Sequence, residues 1–157
     1  MDAARLTASR IMRTDFVSLR ERDRLDLAEH VMKLGGVRHL PVLDDHRRLV
    51  GIVSQRDLLR ASLTSVLDFA PEHRRTFLSS VDVAEVMTRE VQSVSPDTPL
   101  GVAASRMVRH RIGCLPVVGE DGVAVGLLTE TDLLVAAYLA PGNGGGSASP
   151  PTPSSPK

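Results

Sequence analysis

Apolar positions along this chain follow two different spacings, and each spacing predicts one kind of element. Residues 24–34 carry apolar side chains every three or four positions, which predicts an amphipathic helix that ends at the Gly35-Gly36 pair. Residues 39–43 and 49–54 are short, largely apolar runs, which predict two strands. The polar residues 44–48 between them predict a turn. The segment is therefore expected to form a helix followed by a β-hairpin.

The same pattern occurs a second time. The run Gly-Ile-Val-Ser-Gln-Arg-Asp-Leu-Leu at 51–59 recurs at 126–134 as Gly-Leu-Leu-Thr-Glu-Thr-Asp-Leu-Leu, a shift of 75 positions that needs no gap. Each copy is predicted to run helix, strand, helix, strand, strand, helix. A unit of about 50 to 60 residues is too small to bury both faces of its own sheet, so the copies should pack on each other. Further identical residues at this shift are Met12 and Met87, Leu25 and Leu100, Ala28 and Ala103, Met32 and Met107, and the Leu-Pro-Val runs at 40–42 and 115–117.

The duplication divides the chain into four segments. Residues 6–60 form the first repeat and residues 81–140 the second, with residues 61–80 as a helical linker between them. The remaining residues, 141–157, are dominated by Gly, Pro and Ser. Such a composition cannot bury apolar area, so this tail is expected to be disordered.

The repeats and the linker each contain further short helices. Thr7 and Asp82 are predicted to cap the first helix of each repeat, because their side-chain oxygens can accept from free backbone N–H groups. Residues 16–19 and 91–94 follow these helices as extended segments. In the linker, one helix is predicted over residues 58–69 and another from Pro71, which suits a first helical turn. The apolar face of the first linker helix comprises Leu59, Leu63, Val66 and Leu67, and the apolar contacts of the second are Phe77 and Leu78.

Composition excludes several classes of protein. Lys+Arg and Asp+Glu both number 19, so the chain has no net charge and no long-range field that favours nucleic acid. The single cysteine, Cys114, excludes an intrachain disulfide and a cysteine-based zinc site. No apolar run approaches the roughly 20 residues that cross a bilayer, and the N-terminus has no signal-peptide pattern. A soluble cytoplasmic protein that binds neither nucleic acid nor membrane is expected.

The residues that commonly carry catalysis or bind metals show no revealing arrangement. The five histidines lack metal-ligand spacing, so no metal site is predicted. Cys114 lies in an apolar strand and is interpreted as a small core residue rather than a nucleophile. No Ser/His/Asp order or pair of carboxylates stands out, so no catalytic residue is assigned. One basic cluster, interpreted as a solvated face because it lacks nearby aromatic residues, comprises Arg106, Arg109, His110 and Arg111.

The doubled Ser/Thr-x-x-Asp motif has two interpretations. Ser54 with Asp57, and Thr129 with Asp132, have the form of capping boxes, in which the side chains accept from the first free N–H groups of a helix. For a single occurrence this structural interpretation is the stronger one. Here the motif occurs twice, each time after a glycine and an apolar strand, and each copy also contains a Leu-Pro-Val strand. That combination favours a ligand-binding role in addition to capping.

These residues resemble a known family. The order Val/Ile-x-x-Leu-Pro-Val, then Gly-apolar-apolar-Ser/Thr-x-x-Asp, is similar to a pair of cystathionine-β-synthase (CBS) domains, together called a Bateman module, over Leu6 to Leu139. The resemblance implies an α/β (α+β) fold in which two repeats of β-α-β-β-α type pack about a pseudo-twofold axis. It also implies two clefts between the repeats that commonly hold AMP, ADP, ATP or S-adenosylmethionine as a regulatory ligand, with no catalytic cofactor.

The resemblance assigns each cleft a motif from one repeat and the start of a strand from the other. The motif aspartate would hold the ribose hydroxyls through a charge-assisted pair of hydrogen bonds. Backbone groups would read the adenine edge, and Arg56, Arg38 or His39 would face phosphate. The first cleft comprises Ile52, Ser54, Arg56 and Asp57 facing Thr98, Ala103, Ile112, Gly113 and Cys114. The second comprises Leu127, Thr129, Thr131 and Asp132 facing Asp23, Ala28, Val37, Arg38 and His39.

One feature favours the Asp57 cleft slightly over the other, although the strand start at residues 112–114 in the Asp57 cleft has no basic group to hold a phosphate. Asp23 stands where the second copy has Thr98, and an acid there would repel a nearby phosphate. The main functional hypothesis is a non-catalytic sensor of adenine nucleotides, which forms a homodimer through exposed helices at Leu63, Val66 and Leu67. The alternative is a ligand-free dimerisation module that binds a protein partner. An enzyme is a weaker hypothesis, because the duplication occupies nearly the whole chain.

Overall fold

The computed structural model describes residues 6–65 and 71–139, and this part of the chain contains helices and antiparallel strands in two similar copies. The predicted tail at 141–157 lies outside the described residues. The elements are α1 (Ala8–Ile11), α2 (Leu25–Gly35), β1 (His39–Leu43), β2 (Leu49–Ser54), α3 (Gln55–Ser65), α4 (Pro71–Ser80), α5 (Val83–Val86), α6 (Leu100–His110), β3 (Cys114–Val118), β4 (Ala124–Thr129) and α7 (Glu130–Leu139). The predicted α/β fold with two repeats is confirmed.

The two predicted hairpins form two-stranded antiparallel sheets. β1 pairs with β2 and β3 pairs with β4, and the register slips at equivalent places, after Val42 and after Val117. The predicted extended segments at 16–19 and 91–94 each contribute one parallel bridge instead of a full strand, from Leu19 to Val42 and from Val94 to Val117. The alternation of apolar residues therefore predicted the hairpins correctly and overestimated these two segments.

The main helices begin and end largely where the sequence predicts. α2 ends before Gly36, which adopts a left-handed φ of 61° that glycine tolerates without a steric cost. α3 begins at Gln55, directly after Ser54, as the capping-box motif predicts, and Ser54 ends the strand and caps the helix. Of its predicted apolar face, Leu59 and Leu63 are exposed, and Val66 and Leu67 lie outside the described side chains. α4 begins at Pro71 as predicted, and its Leu78 is buried.

The repeats exchange their first helices. α1, at the start of the first repeat, packs with the second repeat: Ala8 is fully buried there, and its N–H donates to the Thr98 carbonyl at 2.9 Å. α5, at the start of the second repeat, packs with the first, where Val83 is fully buried and its N–H donates to the Asp23 carbonyl at 2.7 Å. Each repeat therefore completes the hydrophobic core of the other.

Both cores are aliphatic, as the low aromatic content predicts. We call them the first core and the second core. The buried residues of the first core are Leu19, Leu25, Ala28, Met32, Leu40, Val42, Val53, Leu58, Leu78, Val83 and Met87. Those of the second core are Ala8, Val94, Leu100, Ala103, Met107, Leu115, Val117 and Leu128.

Backbone hydrogen bonds also join the two hairpins at their turns. The Leu49 N–H donates to the Gly122 carbonyl at 3.0 Å, and the Ala124 N–H donates to the Arg47 carbonyl at 3.1 Å. These bonds and the exchanged helices hold the two repeats in one body. None of the helices in ranges 6–65 and 71–139 has the length and apolar content needed to cross a membrane.

Candidate functional site

The first Ser/Thr-x-x-Asp motif forms a complete cap at the start of α3. One oxygen of Asp57, Oδ2, accepts from the Ser54 N–H at 2.8 Å and from the Ser54 hydroxyl at 3.0 Å. In return, the Asp57 N–H donates to the Ser54 hydroxyl oxygen at 3.1 Å. The structural interpretation of this motif is therefore correct. It uses only one carboxylate oxygen of Asp57, so the other oxygen remains available for a second task.

The second motif repeats this geometry at the start of α7. Oδ2 of Asp132 accepts from the Thr129 N–H at 2.9 Å and from the Thr129 hydroxyl at 2.8 Å, and the Asp132 N–H donates to the Thr129 hydroxyl oxygen at 3.2 Å. In both copies the helix begins directly after a strand, so the aspartate is fixed in the first helical turn. The N-terminus of each helix adds partial positive charge beside it.

The second oxygen distinguishes the two aspartates. Oδ1 of Asp132 accepts from the guanidinium Nε of Arg13 at 3.2 Å in an ion pair, and the Asp132 side chain is only 12% exposed. Asp57 has no cationic partner of this kind in the described part of the chain. The two motifs thus share one backbone geometry and differ in what faces their outer oxygen.

Arg13 owes its position to the exchange of the first helices. The Arg13 N–H donates to the Leu127 carbonyl at 2.8 Å, and the Leu127 N–H donates back at 2.9 Å. Thr88 is held in the same way against Ile52, with distances of 3.0 and 2.9 Å. Arg13 and Thr88 are counterparts at the 75-residue shift, so one repeat presents a cation where the other presents a hydroxyl. Arg13 was not among the predicted site residues. Its signal in the sequence is that the residues after the paired Met12 and Met87 differ, Arg13 in one copy and Thr88 in the other.

The strand starts lie beside the motif of their own repeat. The Gln55 N–H donates to the Arg38 carbonyl at 2.9 Å, and the Glu130 N–H donates to the Gly113 carbonyl at 3.1 Å. His39 lies within electrostatic range of both repeats. Against the larger effect of desolvation, its pKa is raised by the negative charges of Asp57 in its own repeat and Glu130 in the other. That each strand start and the opposite motif together enclose a ligand stays a prediction.

Burial affects two side chains in these strand starts. Desolvation lowers the pKa of His39, and the negative charges of Asp57 and Glu130 only partly oppose it. Burial raises the pKa of the Cys114 thiol to about 12, with a further contribution from the charge of Asp132. Cys114 is only 4% exposed, which confirms its interpretation as a small core residue.

Asp23 and Thr98 perform the same structural task. Oδ2 of Asp23 accepts from the Arg20 N–H at 2.7 Å, and Oγ1 of Thr98 accepts from the Ser95 N–H at 3.0 Å. Both side chains therefore close the turn that precedes a helix. Asp23 therefore does in the first repeat what Thr98 does in the second. One oxygen of its carboxylate is already engaged by a backbone N–H.

The other predicted site residues differ in accessibility. Ala103 and Ala28 are fully buried in the two cores, and Leu127 is also buried. Ile52, Ile112 and Gly113 are half-buried. Val37, Arg38, Arg56 and Thr131 are exposed.

Two surface cavities accompany the second repeat. A groove of about 390 Å³ lies between α6 and α7, and its walls include Met107, Val108, Ile112, Glu130 and Leu134. A wider cavity of about 560 Å³ lies along α6. It is lined by Arg106, Arg109 and His110, three members of the basic cluster, together with Pro99, Gly101, Val102 and Ser105. No group of three or more His, Cys, Asp or Glu side chains that could hold a metal occurs in the described ranges.

A sequence model of the CBS domain matches residues 8–64 and 83–138 of this chain. The structure is similar to that of a putative acetoin utilization protein (AcuB) from Vibrio cholerae, with 35% identity and a TM-score of 0.72 over 85% of this chain and 90% of that one. It is also similar to CBSX2 in a crystal structure with AMP, with 28% identity and a TM-score of 0.71 over 84% and 96% of the two chains.

Two of the curated relatives are much longer proteins. A homoserine O-acetyltransferase from Methanococcoides burtonii is 32% identical over 123 residues, which are 78% of this chain and 22% of that protein. An inosine-5'-monophosphate dehydrogenase from Nitrosopumilus maritimus is 35% identical over 71% of this chain and 19% of that protein. The chain spans about a fifth of the length of these relatives.

Proposed function

The chain belongs to the CBS-domain family, and from this premise we propose that it is a non-catalytic regulatory module that binds an adenosine nucleotide at its two Ser/Thr-x-x-Asp motifs. The observation that carries the proposal is that the two carboxylate oxygens of each motif aspartate have different roles. One oxygen, Oδ2, caps a helix, while Oδ1 takes no part in the cap. The AMP complex of CBSX2, a relative with 28% identity, supports this choice of ligand.

The chemistry of the motif suits a ribose. A carboxylate accepts from a sugar hydroxyl in a charge-assisted hydrogen bond, and the cap fixes its orientation before the ligand arrives. Half-buried Ile112 and exposed Val37 lie at the strand starts, where they can cover the faces of an adenine ring. Arg38, Arg56 and the helix N-termini supply positive charge for phosphate.

We infer that the Asp57 cleft is the more accessible of the two. Its outer carboxylate oxygen has no cationic partner in the described part of the chain, whereas that of Asp132 is paired with Arg13. A ribose can therefore approach Asp57 without displacing another group. The regulatory ligand is an adenosine nucleotide such as AMP, ADP or ATP, or S-adenosylmethionine.

A ligand held between the repeats would bias their relative orientation, and a partner would read that change. The exposed apolar residues of α3 and α7 offer a surface for it. Leu59 and Leu63 on α3 are 59% and 67% exposed, and their counterparts Leu134 and Tyr138 on α7 are 60% and 85% exposed. Because both repeats present the same helical face, we propose that a second copy covers it in a homodimer. A cytoplasmic location stays a prediction.

Thermal unfolding with and without each of the four adenosine compounds tests the proposal. A ligand that binds only the folded state raises the free energy of unfolding by about 2.7 kcal/mol at a hundredfold excess over its dissociation constant. The Asp57→Ala and Asp132→Ala variants should each lose part of that shift. Glu85→Gln is a matched control, because it removes a carboxylate from the capping box of α5, which belongs to neither motif. If both aspartate variants keep the full shift, the site is wrongly assigned.

The second candidate is a ligand-free interaction module. It is favoured by the complete caps, which give both motifs a structural role, and by the apolar face shared by α3 and α7. Under this hypothesis no adenosine compound shifts the unfolding transition, and the aspartate variants only lose stability, about 1 kcal/mol for a lost cap. The same experiment therefore separates the two candidates.

A further inference from the structure

The geometry points to Arg13 as the residue that makes the two clefts unequal: we infer that it renders the Asp132 cleft selective for adenosine compounds that carry a phosphate. The Asp57 cleft, where Thr88 takes the place of Arg13, lacks this cation and should discriminate less between compounds with and without a phosphate. The inference rests on the proposed function, since it assumes that adenosine compounds bind at the motifs. It concerns a residue that contributes to specificity in one cleft only.

The backbone of Arg13 is held in place, whereas its side chain is largely exposed and can change partners. Both backbone hydrogen bonds to Leu127 hold its Cα beside β4. The side chain is 60% exposed, so its guanidinium can turn from one partner to another without disturbing the core. Removing the side chain should therefore change the ligand preference and leave the fold intact.

The ion pair occupies the atom that a ribose requires. Oδ2 of Asp132 is engaged by the Thr129 N–H and hydroxyl, and Oδ1 is engaged by Arg13. A ribose hydroxyl must displace the guanidinium from Oδ1 before it can donate there. An adenosine without phosphate would leave Arg13 without an anionic partner, which weakens its binding.

A phosphate changes this balance. The guanidinium fork matches phosphate geometry and can form two parallel hydrogen bonds with it. When the ribose of a nucleotide replaces Arg13 at Oδ1 of Asp132, the phosphate of the same nucleotide can therefore pair with the Arg13 guanidinium. The N-terminus of α7, whose first turn contains Asp132, adds positive potential beside the motif. At Asp57, the neutral Thr88 does not form an ion pair with the carboxylate and offers no positive charge to a phosphate.

A reciprocal exchange of the two residues tests the inference. Binding of AMP and of adenosine is measured by titration calorimetry in the Asp57→Ala background, where only the Asp132 cleft is intact. We expect AMP to bind at least about tenfold more tightly than adenosine, as one charge-assisted contact would provide. Arg13→Thr should reduce that ratio about tenfold, and Arg13→Lys should retain part of it. Thr88→Arg, in the Asp132→Ala background, should create a preference for AMP in the other cleft.

The outcomes separate this inference from the proposed function. If AMP and adenosine both bind and Arg13→Thr leaves their ratio unchanged, the role of Arg13 is wrong and the nucleotide site stands. If the unmutated protein binds neither AMP nor adenosine, the inference is wrong. If it also binds neither ADP, ATP nor S-adenosylmethionine, the proposed function fails as well. Thermal unfolding of each variant without ligand verifies that Arg13→Thr, an exposed substitution, remains folded.

Discussion

Met87 lies directly against Gly51, so that a Cβ atom on the glycine would fall 2.5 Å from the methionine sulfur and 3.1 Å from the Thr88 carbonyl oxygen. Met12 has the same relationship to Gly126, at 2.6 Å from its sulfur and 3.1 Å from the Arg13 carbonyl. The glycine before each motif thus lets the exchanged segment of the other repeat approach the strand. This contact also places Thr88 beside Ile52 and Arg13 beside Leu127.

Gly51→Ala should destabilise the protein by about 1–3 kcal/mol, the usual range for overpacking. The sulfur can shift, but the Thr88 carbonyl is held by its hydrogen bond to Ile52 and cannot move as readily. Urea unfolding measures the change. Gly101→Ala is the control, because a Cβ there meets nothing within 4 Å and the residue lies in α6, where alanine should stabilise by up to about 1 kcal/mol. Equal effects at both glycines would contradict the close contact.

Substitutions at Ser54 and Asp57 should have different effects on stability and on ligand binding. Ser54→Ala removes the hydroxyl that accepts from the Asp57 N–H and should cost about 1 kcal/mol of stability. It leaves the outer oxygen of Asp57 in place, so adenosine binding should weaken far less than in Asp57→Ala. Unfolding and calorimetric titration on both variants measure the two effects. An equal loss of binding in both would assign the hydroxyl, and not the outer oxygen, to the ligand.

The ion pair between Glu29 of α2 and Arg74 of α4 should make stability depend on pH. Hydrogen bonding from Arg74 lowers the pKa of Glu29, in spite of the opposing effect of its burial. The folded state therefore binds the Glu29 proton less tightly than the unfolded state does. This contribution is present above the ordinary glutamate pKa and is lost as pH falls through the lower, folded pKa.

Glu29→Gln should accordingly lower the free energy of unfolding at neutral pH, and its difference from the unmutated protein should shrink in acid. Urea unfolding at about pH 7 and about pH 3 provides the comparison. Lys33→Ala serves as the control, because Lys33 is 74% exposed and reaches Glu29 only at 3.4 Å, so its removal should have little effect. A constant difference across this pH range would show that Glu29 acts through packing alone.

Cys114 should resist thiol reagents as long as the protein is folded. Its pKa of about 12 leaves almost no thiolate at pH 8, and the side chain is only 4% exposed. Reaction with a chromogenic disulfide should therefore be slow in buffer and complete in urea. Rapid labelling of the folded protein would contradict the buried position of this strand.

The exposed faces of α3 and α7 should control self-association. Leu134→Ser together with Tyr138→Ser should shift a homodimer towards monomer in sedimentation velocity, because 60% and 85% of these side chains are exposed in the single chain. Leu63→Ser tests the equivalent face of α3. Val17→Ser is the control, because Val17 is 55% exposed and lies on the segment before the Leu19 bridge, away from both helices. A monomeric unmutated protein would exclude the dimer.

Local pattern predicted most elements and not their partners. The apolar runs located β1 and β2 correctly, because period and turn residues are local properties. The spacing around Thr7 predicted a short helix, yet nothing local indicates that α1 belongs to the second core. The ion pair of Arg13 with Asp132 spans 119 positions and depends on that exchange, so the mismatch between Arg13 and Thr88 marks a difference between the copies without indicating its partner. Asp23 was interpreted by its charge, whereas its contact shows a turn-closing role shared with Thr98.

The exchange of first helices also constrains how the protein is made. During synthesis α1 leaves the ribosome before the other described elements, but the core that it joins needs β3, β4 and α6, which emerge much later. The first core can close once α5 appears, since it needs no later element. α1 is therefore made before the core that it joins, and a ribosome that stops after the first repeat releases a chain in which neither core is complete.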